Sequence, residues 1–143
     1  MKIGDYPEGA PCWFELETNA QPAGQAFWAE LLEWTCDELP MPAGDGAYTM
    51  FGLHGDAHVG ACCPRAPEAA AQGATPHWNV YFRVGDCDAA TARATAAGAR
   101  VLAGPFDVAD HGRMSFVADP EGATFGLWQP RQHHGAGRIH EER

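Results

Sequence analysis

Two strand-like runs carry the side chains best suited to chemistry. In Cys12-Trp-Phe-Glu-Leu-Glu-Thr18, alternation puts Trp13, Glu15 and Glu17 on one face and Phe14, Leu16 and Thr18 on the other. In 78–84 it sets Asn79, Tyr81 and Arg83 opposite Val80, Phe82 and Val84. Two carboxylates beside an indole could hold a cationic ligand through charge and cation–π attraction. The same residues allow an enzyme. Glu15 against apolar walls would have a raised pKa and act as general acid or base. Tyr81 or His58 would be its partner, and Arg83 would hold an anionic intermediate. The bland alternative is that Glu17 and Arg83 only form a salt bridge. His54, His58, Cys62 and His77 could ligate a metal, with His58 and Cys62 on one face of a strand, but their spacing matches no zinc or iron signature. No Ser-His-Asp order, nucleophile elbow, phosphate-cradling glycine loop or dinucleotide fingerprint is present.

The elements that must position these residues repeat. Segments 12–64 and 78–130 lie on one another without a gap at an offset of 66 residues. Identities are few, but the structural signals match. Each half opens with an alternating strand and runs into a helix. The first helix has Asn19 as cap, Pro22 in its first turn, and Ala23, Phe27, Leu31 and Trp34 as its apolar stripe, with Trp28 off it. The second has Asp86 or Asp88 as cap and Ala89, Ala92 and Ala96 on the buried side. Three strands follow each helix, near 34–39, 47–53 and 57–62, then near 100–104, 113–118 and 123–128. His54-Gly-Asp56 and Asp119-Pro-Glu-Gly122 are the hairpin turns. The expected organisation of the 143 residues is one domain: a module at about 10–64, a linker at 65–76, a module at about 77–130 and a mobile tail at 131–143.

Two tandem βαβββ modules, with Asp119-Pro-Glu-Gly122 before the last strand, resemble the vicinal-oxygen-chelate superfamily of glyoxalase I, extradiol dioxygenases and bleomycin-binding proteins. Pro11-Cys-Trp-Phe-Glu-Leu16, the run from Ala118 to Pro130 and His133-His-Gly-Ala136 are similar to an actinobacterial branch of glyoxalase-like or hydroxylase-like proteins, many with two such domains in tandem. The resemblance covers about residues 10–130 and implies the first of those domains. It implies an α+β fold whose two modules form a curved mixed sheet around one cavity. It also places the superfamily's metal positions at Trp13, Asn79, about Gly60 and Gly126. Tryptophan and glycine offer no side-chain lone pair and asparagine is weak, so neither metal nor cofactor is expected. The two glycines would instead leave room for a ligand. The expected ligand-binding face is Trp13, Glu15, Glu17, His58, Asn79, Tyr81, Arg83 and Trp128, with His58 and Cys62 flanking Gly60 and with Glu15 and Tyr81 as the catalytic pair if the protein is an enzyme.

Composition narrows the partners. Nineteen acids against nine basic residues give a formal charge of −10, which opposes unaided binding to nucleic acid or anionic membrane. No apolar run is long enough to span a bilayer. Five cysteines without a CxxC spacing or an apolar leader predict free thiols in a reducing, cytoplasmic setting. Adjacent Cys62 and Cys63 cannot share one face of a strand. The function expected is a metal-free binder that sequesters or handles an aromatic or cationic metabolite or antibiotic, in resistance or secondary metabolism. Its alternatives are a lyase, isomerase or cyclase using Glu15, a metal enzyme with relocated ligands, and a regulatory half that pairs with another such domain. An exposed Trp28 suits a homodimer.

Overall fold

The computed structural model describes residues 5–40, 47–53, 57–64, 73 and 75–137. His54 with the turn at 54–56, most of the linker and the end of the tail at 138–143 lie outside them. The described chain is α+β, with eight strands and two helices. In order these are β1 (Pro11–Thr18), α1 (Gln21–Leu32), β2 (Thr35–Pro40), β3 (Ala47–Gly52), β4 (His58–Pro64), β5 (His77–Arg83), α2 (Cys87–Ala96), β6 (Arg100–Val108), β7 (Gly112–Ala118) and β8 (Thr124–Pro130). Every strand and helix expected from the alternation and the turn signals is present. Among the described residues no helix is long and apolar enough to cross a membrane.

The chain divides into two compact units. One holds Phe14–Trp78 with Ala136 and Gly137, the other Asn79–Gly135 with residues 5–13. In the first unit β1 runs parallel to β4, and β3 and β2 continue antiparallel, giving the order β2-β3-β4-β1. In the second, β5 runs parallel to β8, followed by β7 and β6. Each is therefore a βαβββ module.

The gapless offset fails at one residue. Glu15 lies opposite Ala61, whereas its counterpart Tyr81 lies opposite Gly126. The register shifts by a bulge between Phe51 and Gly52, so β4 holds one residue more than β8 up to that point. Ala61 and Cys63, not Gly60 and Cys62, thus share the face of Glu15 and Glu17. Gly60 faces the helix side, where a Cβ would stand 2.7 Å from the Phe14 carbonyl oxygen. Cys62 packs there with Leu16 and Phe51, so the adjacent cysteines do point to opposite faces.

Both helices settle on other faces than their apolar residues suggest. Ala20, not Asn19, caps α1, and Thr18 Oγ1 accepts from its amide at 3.2 Å. No residue of α1 is buried; Phe27 and Leu31 are 58% and 59% exposed, while Trp28 turns toward the Leu16, Phe51 and Cys62 core. The reason is polar. Gln21 Nε2 donates to Thr49 Oγ1 at 3.4 Å and to the Cys62 carbonyl at 3.2 Å, and Thr49 Oγ1 donates to Gln25 Oε1 at 2.9 Å. These glutamines orient the first turns, and Gly24 fits over Thr18. In α2, Asp86 caps as expected, accepting from Ala89 N at 3.0 Å. The buried stripe is Cys87, Ala90 and Thr91, not Ala89, Ala92 and Ala96. Thr91 decides that face through its hydroxyl, 2.7 Å from Ser115 Oγ on β7.

Within residues 131–137, expected to be mobile, His133 and Ala136 are packed. The His133 ring meets Trp13 edge-on with centroids 4.6 Å apart, Trp128 Nε1 donates to the His133 carbonyl at 2.7 Å, and Ala136 is buried. In the first unit, Gly137 N donates to the His58 carbonyl at 3.0 Å.

Candidate functional site

In the first unit β1 carries Glu15 and Glu17 on the face that Ala61, Cys63, Met50 and Tyr48 share. Glu15 is buried, and both of its carboxylate oxygens accept hydrogen bonds: the Tyr48 hydroxyl donates to Oε2 at 2.7 Å and the Cys63 thiol to Oε1 at 3.4 Å. The phenol and thiol hold the group in one rotamer. Burial first, and then the charges of Glu15 and Glu17, push the Cys63 thiol far up, so Cys63 is a donor here and no nucleophile. Glu17 lies 3.9 Å from Nε2 of His77, whose Nδ1–H donates to the Thr75 carbonyl at 2.7 Å. Tyr48 and Cys63 were missed as site residues. Tyr48 sits in an alternating strand, but its face depends on the bulge, which no residue pattern announces.

Glu15, Glu17 and Cys63 each place a donor atom within 4.8 Å of the others, the span of one cation's coordination shell. Two oxygens and one sulfur form a donor set that a divalent ion such as zinc accepts. The superfamily's own metal positions do not fit a metal. Trp13 is engaged by His133, Asn79 Oδ1 accepts from Thr124 Oγ1 at 3.0 Å, and β4 offers Ala61. At Gly126 any Cβ would run into the Tyr81 ring. The ring fills the space once expected to be open to a ligand.

In the second unit Asn79, Tyr81 and Arg83 share a face with Thr124, Gly126 and Trp128. Arg83 Nη1 pairs with Glu8 Oε2 at 2.8 Å. Asn79 is fully buried, and among the described residues its Nδ2 and the buried Arg83 Nε have no hydrogen-bond partner. A buried donor left so costs about 1–3 kcal/mol, which an acceptor atom of a ligand or a water would recover. Trp128 lies over Gly112, where a Cβ would approach its ring to 2.5 Å. His58 joins neither group of residues; its Nε2 is 3.0 Å from Asp37 Oδ2 on β2.

The comparisons with known proteins agree with this architecture. The glyoxalase-like domain family matches residues 13–128. CFP32 of Mycobacterium tuberculosis (strain CDC 1551 / Oshkosh), provisionally named a glyoxylase, is 41% identical over 98% of this chain and 53% of its own. The anthracycline biosynthesis protein DnrV of Streptomyces peucetius is 34% identical over 92% of this chain and 50% of its own. The chain thus spans about half the length of the curated relatives it matches. Among solved structures, methylmalonyl-CoA epimerase from Mycobacterium tuberculosis superposes with a TM-score of 0.61 at 16% identity, covering 91% of this chain and 93% of that one. A hypothetical protein, BH1468 from Bacillus halodurans C-125, gives 0.64 at 8% identity, covering 89% and 98%. Identities that low bear on the fold alone.

Proposed function

Because the chain belongs to the glyoxalase-like domain family, we propose that it binds a small organic molecule bearing a cationic group, with the Glu15 and Glu17 carboxylates as the anionic anchor. The observation that carries this is Glu15 itself, a buried carboxylate fixed by Tyr48 and Cys63 beside a second carboxylate. A carboxylate already accepting on both oxygens suits a fixed counter-charge better than a proton carrier, which favours binding over acid–base catalysis. The setting we propose is secondary metabolism, as in the relative named for anthracycline biosynthesis.

Titration with an anthracycline and a panel of aromatic amines tests this. Glu15→Gln and Glu17→Gln should each weaken the best binder about tenfold or more, the scale of a lost charge-assisted bond. Unchanged affinity in both sinks the proposal. Turnover that Glu15→Gln abolishes while binding persists would instead make Glu15 a catalytic residue.

A metal-dependent relative with relocated ligands is the second reading. The cluster of Glu15, Glu17 and Cys63 favours it over the histidines expected to serve. Elemental analysis of untagged protein decides: one zinc, iron, nickel or manganese per chain, lost in Cys63→Ser, selects this reading.

A further inference from the structure

The first unit holds a cavity of about 400 Å³ on the helix side of its strands. That is the face opposite Glu15 and Glu17, so the cavity is separate from the anionic anchor. Its walls are Phe14, Trp28, Trp34, Leu53, Val59 and Trp78, every one half-buried. The cavity has a structural cause. The glutamine–threonine hydrogen bonds hold the start of α1 to the strands. Beyond them α1 has no fully buried residue, and three half-buried indoles stand in the gap instead of closing it.

We propose that this cavity is a second binding site, for a neutral, flat aromatic molecule. Three features select that chemistry. The volume lies within the ordinary range of small-molecule pockets, roughly 300–1,000 Å³. Trp78 stands nearly perpendicular to both Trp28 and Trp34, at 84° and 83°, with centroids 5.2 and 6.2 Å away. Such a corner offers both ring faces and ring edges, the arrangement in which an added aromatic ring gains stacked and edge contacts together. The lining holds no charged side chain, and the chain's net charge of −10 disfavours an anion. Among the described residues the indole N–H groups of Trp28, Trp34 and Trp78 have no hydrogen-bond partner. They would donate to carbonyl or hydroxyl oxygens on the ring system.

Nile red, a neutral planar dye whose emission reports an apolar site, is a suitable probe. The parent should bind one dye per chain with a blue-shifted emission. Trp28→Ala, which removes a wall, and Val59→Phe, which fills the space, should each weaken binding at least about tenfold. Leu102→Ala removes an exposed apolar side chain of the second unit and should leave binding as in the parent. Circular dichroism identifies any variant that fails to fold, and Trp28→Ala, which removes a half-buried side chain, remains informative if Val59→Phe does not. Dye binding that persists undiminished in Trp28→Ala overturns the proposal. So does a parent that binds no dye and sediments as a dimer that Phe27→Ala dissociates, because a second copy would then cover the cavity.

Discussion

Glycine at 126 stands where the superfamily resemblance puts a metal-binding carboxylate, and the Tyr81 ring has taken the vacated volume. The substitution is thus a repacking of the sheet face, coupled to one neighbour. Gly126→Ala should destabilise the protein by about 1–3 kcal/mol, as overpacking does. The same change in a Tyr81→Ala background should cost far less. Urea denaturation of the four proteins in that cycle checks it, and equal costs in both backgrounds would show that the ring is not the obstacle. Glu15 depends in the same way on residues around it. Tyr48→Phe removes the hydroxyl that donates to Oε2. It should weaken binding of a cationic ligand less than Glu15→Gln does, since the charge stays and only its orientation loosens.

Strands were legible in the sequence because alternation and turn residues mark them directly. The faces of the helices and the register of β4 were not. One bulge between Phe51 and Gly52 moved Ala61 and Cys63 onto the carboxylate face and took Gly60 and Cys62 off it. Polar pegs at Gln21, Gln25 and Thr91 overrode stripes read from Phe, Leu and Ala. Trp13, Glu15 and Glu17, and Asn79, Tyr81 and Arg83, kept their shared faces because no bulge interrupts β1 or β5 between them. Burial in these strands carries a pH signature. It pushes the Cys12 thiol up to about 12 and the Cys62 thiol up to about 11. Both start from an ordinary value of 9.0, so above about pH 9 the unfolded chain has lost thiol protons that the folded chain retains. Stability should therefore fall as pH rises from 9 toward 12. Melting temperatures across pH 8–11 should drop less steeply in a Cys12→Ala/Cys62→Ala variant than in the parent. Parallel slopes would remove these thiols from the account.

Across the whole molecule the two units repeat one topology with different contents. The first carries the carboxylate pair on one face and the indole cavity on the other. The second carries the orphaned donors of Asn79 and Arg83, and its Trp13 and Trp128 are held by His133. His133→Ala should cost about 1 kcal/mol, the scale of such ring contacts, and should red-shift tryptophan emission as Trp13 gains water. A variant with the parent's spectrum and stability would return the tail to the mobile state first expected of it. The net charge of −10 is spread over surface acids, several paired with Arg83, Arg113 and Arg131. The proposed preference for a cationic ligand therefore rests on Glu15 and Glu17 more than on the total. The most direct test compares an aromatic amine with its neutral N-acetyl analogue, by calorimetry, on the parent and on Glu15→Gln/Glu17→Gln. The parent should prefer the amine by about tenfold or more, and the double variant should not distinguish the two. A preference that survives the double substitution, or a parent that shows none, would contradict the carboxylate anchor.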